Sequence, residues 1–62
     1  MNWNDLENKR VHVILQNDFE YTGLITGVDD RGNGLIFFTL TSKFNEKILF
    51  VSSEIKRLEV KE

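Results

Sequence analysis

The sequence predicts a mainly β fold: a short N-terminal helix followed by five strongly bent antiparallel strands that close into a small barrel. Three observations carry this expectation. Apolar residues alternate at Val11, Val13 and Leu15, which is the two-residue period of a strand with one buried face. The aromatic and β-branched segment from Phe19 to Val28 is broken by Gly23 and Gly27, and glycine inside a strand marks a bend or a bulge. Short apolar segments then recur to the C-terminus, separated by Asp, Asn, Gly and Ser.

Taken in order, Asn4-Asp5-Leu6-Glu7 offers a capping residue, a glutamate three positions later and two acids in a first turn. This predicts a helix over 5–9, with Trp3 and Leu6 folding it onto the sheet; a helix this short is marginal alone, and the alternative is a frayed terminus. The first strand runs over Val11–Leu15, and Asn17-Asp18 is a turn signal. The second strand spans Phe19–Val28, and Asp29-Asp30-Arg31-Gly32-Asn33-Gly34 is the clearest loop. Leu35–Thr41 is the third strand, apolar on both faces around Phe37 and Phe38, which implies cover on two sides. A short connection over 42–45 leads to a fourth strand, Lys47–Val51. Ser52-Ser53-Glu54 is a tight corner before the fifth strand, Ile55–Val60, and Lys61-Glu62 is a solvated tail.

The 62 residues make one domain, residues 1–62, near the lower limit for a core that supports itself. Small folds gain extra stability from disulfides, metals or assembly. The chain has no cysteine and a single histidine, His12, so neither a disulfide nor a thiolate–imidazole metal site can be built. Assembly remains by elimination. No cofactor or metal is expected. The absence of cysteine, of a signal-peptide pattern and of an apolar run long enough to cross a bilayer points to the cytoplasm and away from membranes. The net charge of −2 opposes general electrostatic attraction to nucleic acid.

Enzymatic chemistry finds no footing. His12 stands mid-strand with no partner visible in sequence, Ser52 and Ser53 have no base to activate them, and Asp29-Asp30 with Asn33 has the wrong spacing for a calcium loop. The phenylalanines at 37, 38, 44 and 50 form either a stacking surface or the core. Phe37 and Phe50 suit the core, and Phe44, beside a turn, is the aromatic expected to be exposed.

The residues Val11, Val13, Leu15, Tyr21, Gly23, Ile25, Asp29 and Asn33 stand in the order and spacing of a known signature. In this the chain resembles the Sm and Sm-like (LSm, Hfq-related) proteins, which share the order of one helix and five bent strands and form RNA-binding rings. The resemblance implies that Asn33 reads a base edge, that Arg31 stacks on the base or contacts phosphate, and that Asp29 braces the loop. It places the Ser52–Ser53 corner beside them at the pore. An Asn amide and a guanidinium plane suit these tasks. The same six-residue loop is also ordinary turn chemistry. The family's second motif ends in Arg-Gly, where this chain has Val51 and Ser52, so the nucleotide-side cation is missing.

By the same resemblance, the fourth strand of one subunit pairs with the fifth of the next. Ile48, Phe50, Ile55 and Leu58 would then line the interface of a hexameric or heptameric homo-oligomer that takes single-stranded RNA at its pore. The alternatives are an open barrel with edges protected by Lys47, Lys56 and Arg57, and a protein-interaction or structural module that has lost the uridine pocket. The first expectation is thus a non-catalytic RNA chaperone or scaffold.

Overall fold

The structure is a computed structural model and describes residues 3–61. A single turn of 3-10 helix, η1 (Trp3–Leu6), precedes β1 (Arg10–Leu15), β2 (Glu20–Asp30), β3 (Ile36–Thr41) and β4 (Lys47–Val51). A second 3-10 turn, η2 (Ser52–Glu54), then leads to β5 (Ile55–Val60). All neighbours in the five-stranded sheet are antiparallel, in the order β4-β3-β2-β1-β5.

Asp29 and Asp30, expected in the loop, are the last two residues of β2, paired with Phe37 and Ile36. Two larger expectations need correction. The helix over 5–9 is only the turn Trp3–Leu6. The amide of Asn8, at φ 69°, donates to the Ile25 carbonyl at 2.7 Å, and the Ile25 amide donates to the Lys9 carbonyl at 2.9 Å. The backbone that would continue a helix is captured by β2 instead, and a lone helical turn cannot compete with that pairing. The second correction concerns closure. The sheet is not a closed barrel: β4 and β5 are its two edges, joined through η2 without pairing to each other among the described residues.

The long strand β2 serves both neighbours. Residues 20–24 pair with β1 and residues 24–30 with β3, with a register shift between Ile25 and Gly27. Glycine is required at position 23: a Cβ there would stand 2.5 Å from the Thr41 carbonyl oxygen and 2.7 Å from a Leu40 methyl. The absence of a side chain lets β2 lie close against β3.

One face of the sheet buries Val11, Val13, Leu15, Ile25, Ile36, Phe38, Leu40 and Phe50, closed at the end by Leu6 from η1. Trp3 packs edge-on against Phe38 at 5.5 Å between centroids, and Phe50 stacks on Phe38 at 5.3 Å. Both arrangements suit the quadrupoles of the rings.

Candidate protein-interaction surface

The side chains that alternate away from this core form the outer face, and strand register fixes which of them are neighbours. Asp29, Phe37 and Val51 form one row across β2, β3 and β4; Gly27, Thr39 and Leu49 form the next. Leu49 is 75% exposed on the unpaired β4 edge. It borders a hollow of about 220 Å³ whose walls include Phe37, Val51, Arg31 and Glu54. The residues that the Sm resemblance placed at a subunit interface lie on the inner face: Phe50 is 3% exposed and belongs to the core, as its residue type suited, while Ile48, Ile55 and Leu58 are half-buried against it. Phe37, expected in the core, lines the outer hollow instead. The strand Lys-Ile-Leu-Phe-Val is apolar on both faces, so alternation alone could not say which face turns inward.

At the polar rim, the Arg31 Nε donates to Asp29 Oδ2 at 2.9 Å, and its guanidinium carbon lies 4.5 Å from the Phe37 ring centroid. The plane expected to stack on a base therefore rests on a phenylalanine of the chain itself. Asn33 Oδ1 accepts from the Leu35 amide at 3.1 Å, and Asp30 Oδ1 accepts from the Gly32 amide at 2.9 Å. Gly32 and Gly34 adopt positive φ, 77° and 88°. The carboxamide of Asn33 thus builds its own turn. Ser52 Oγ accepts from the Ile36 amide at 3.2 Å and ties the corner to the start of β3, whereas Ser53 is exposed. Asp29 and Arg31 are brought together, Ser52 joins the loop's end, and Asn33 and Ser53 share no hydrogen bond among the described residues. Glu54 Oε1 accepts from the Val51 amide at 3.0 Å and completes the rim.

His12, with no partner visible in the sequence, has two in the structure. Its Nδ1 lies 2.7 Å from Thr22 Oγ1 and its Nε2 lies 2.9 Å from Glu20 Oε1. The signal was available: an Asn17-Asp18 turn sets a hairpin register that places Thr22 opposite His12. Phe44 is 74% exposed, as its place beside a turn implied.

No family model matches the chain, and no curated protein matches it. Among solved structures, the fold is similar to a chain in the structural study of Dcp1:Dcp2 mRNA decapping complex activation by Edc3 and Scd6. The TM-score is 0.73 with 28% sequence identity, over 97% of this chain and 59% of that chain. The present chain therefore spans somewhat more than half the length of that neighbour.

These findings overturn the expectation of an Sm or Sm-like homo-oligomeric ring with RNA at its pore. No family model supports it, and the similar structure belongs to a study of an assembly of different proteins. The physical reason lies in the motif. The spacing of Asp29, Arg31 and Asn33 is accounted for by an ion pair, a ring contact and a self-capped turn, none of which needs a nucleotide.

Proposed function

We propose that this chain is a small, non-catalytic β protein-interaction module that engages a different protein through its β4 edge and serves an assembly of the mRNA-decapping type. The observation that carries this reading is Leu49, a large apolar side chain left 75% exposed on an unpaired strand beside an apolar hollow. An unpaired edge offers backbone donors and acceptors to an incoming segment, and a neighbouring hollow offers a seat for one of its side chains. Arg31, paired with Asp29, and Glu54 place charges of both signs at the rim. The likeness to a chain from the decapping study supports the kind of assembly. The reading includes a cytoplasmic location; no helix among the described residues is long and apolar enough to cross a membrane.

The test is a calorimetric titration of this chain into purified Dcp1:Dcp2 complex, with wild type and Leu49→Asp in parallel. Binding by wild type, weakened at least about tenfold by the substitution, is the expected result. Absence of binding by wild type, or equal binding by both, would remove the proposal.

A further inference from the structure

A second surface lies on the same outer face, at the opposite end of β3. Register aligns Arg10, Leu24, Thr41 and Lys47 in one row across β1, β2, β3 and β4. Arg10, Leu24 and Lys47 are exposed, and Thr41 is half-buried. Two hollows, of about 190 and 260 Å³, adjoin at Arg10, Gly23, Ser42 and Lys43, which stand in the walls of both and define a groove region. One of them is bordered by Leu24 and the other by Phe44.

The groove is built firmly. Ser42 Oγ accepts from the amides of Phe44 and Glu46, each at 3.2 Å, and Asn45 takes φ 65°, which fixes the β3–β4 turn. That turn presents Lys43 and Phe44 together, the Lys43 ammonium standing 5.3 Å from the Phe44 centroid. On the groove's floor Thr26 Oγ1 lies 2.9 Å from Thr41 Oγ1.

Charge decides the occupant. The chain as a whole carries a net charge of −2, yet this end gathers Arg10, Lys43 and Lys47. None of the three makes an ion pair among the described residues, whereas Lys56 is paired with Asp18 and Arg57 and Lys61 face Glu59. Glu46 is an exposed acid in the same turn. Cations with no carboxylate partner among the described residues, flanking an exposed leucine and an exposed phenylalanine, fit a segment that carries acids and an apolar side chain.

We infer that the groove between Arg10 and Lys43 docks an acidic peptide segment of a protein partner, its carboxylates on the cations and an apolar residue against Leu24 and Phe44. The site lies at the other end of the sheet from the Leu49 hollow and does not rest on that reading. A nucleic acid would present negative charge as well, but the acidic balance of the rest of the chain opposes a long polyanion and tolerates a short segment.

The experiment is fluorescence anisotropy of the full chain with a labelled peptide of Glu and Phe, its Lys-and-Phe counterpart, and a single-stranded oligonucleotide as competitor. The Glu–Phe peptide should bind and the Lys–Phe peptide should not. Raising salt from about 0.1 M to about 1 M should weaken binding by screening. Lys43→Glu, an exposed turn substitution, should cost about tenfold in affinity, and Arg10→Glu should act in the same direction. Leu49→Asp should leave this affinity unchanged, which separates failure here from failure of the β4-edge reading. No binding of the acidic peptide, indifference to Lys43→Glu, or displacement by the oligonucleotide at lower concentration than unlabelled peptide would overturn the inference.

Discussion

The Phe50 ring stacks on Phe38 with centroids 5.3 Å apart and planes 25° apart, and this contact joins β4 to β3 from inside the sheet. The next residue back, Leu49, points the other way and is 75% exposed. Adjacent apolar residues on one edge strand thus do opposite work. Phe50→Ala should cost about 3–5 kcal/mol, because it removes a buried ring and leaves a cavity against Phe38. Leu49→Ala should change stability by less than about 0.5 kcal/mol. Urea denaturation of both variants checks the assignment of faces, and a larger loss for Leu49→Ala would reverse it.

Glycines 23 and 27 are equivalent as bend signals in the sequence, but their surroundings separate them. A methyl at position 23 meets backbone, the Thr41 carbonyl oxygen at 2.5 Å, so two strands would have to part. A methyl at position 27 meets the Thr39 side chain at 3.2 Å, and that side chain can give way. Gly23→Ala should therefore destabilise by about 1–3 kcal/mol, with Gly27→Ala costing less. Comparing their thermal midpoints tests the order; equal losses would mean that close approach of β2 to β3 is not what glycine 23 provides.

How much of this was written in the chain follows from the range of each interaction. Strand patterning is local, and Lys47–Val51 and Ile55–Val60 fall where composition put them. The N-terminal helix failed because its competitor is distant in sequence: the Ile25 backbone takes the Asn8 amide. Closure of the barrel failed because whether two edge strands meet depends on how far the whole sheet curls, which no single segment encodes. For the candidate site, the polar segment from Asp29 to Asn33 was legible, but Asp29 and Asp30 extend β2 instead of opening the loop, and the segment's role was not legible. Residues of a recognition motif and residues of a stable turn are the same types, and only the contact of Arg31 with Phe37 and the self-capping of Asn33 distinguish them. Leu49 was missed because both faces of β4 are apolar.

The hairpin turn between β1 and β2 carries a pH-dependent contact. The Lys56 ammonium donates to Asp18 Oδ1 at 2.8 Å. That hydrogen bond, then the carboxylate's charge, raise the Lys56 pKa above its ordinary 10.5, with slight opposition from desolvation. A raised folded-state pKa means that the contribution is fully present below 10.5 and is lost as pH climbs through the higher folded value. Both groups are exposed, so the effect is small. Asp18→Asn isolates it, since Asn tolerates the φ of 69° at this position. Wild type should hold a slightly higher urea midpoint than the variant at neutral pH, and the gap should close in strongly alkaline solution. A gap that persists there would assign the difference to the turn and not to the ion pair.

Ser52 and Ser53 are chemically identical neighbours in one corner, and the structure gives them unequal work. Ser52 Oγ accepts the amide of Ile36 at 3.2 Å, at a site where Ile36 itself is 6% exposed. Replacing Ser52 with alanine strands that amide in a place water reaches poorly, and an unsatisfied donor there costs about 1–3 kcal/mol. Ser53 is exposed, so Ser53→Ala should fall within about 0.5 kcal/mol of wild type. Hydrogen exchange gives the sharper readout, because it reports the Ile36 amide directly. In Ser52→Ala that amide should lose protection well beyond the global change, while Ser53→Ala leaves it as in wild type. Equal protection in the two variants would show that the start of β3 is held by its ladder with β2 alone, and that the serine hydroxyl is incidental.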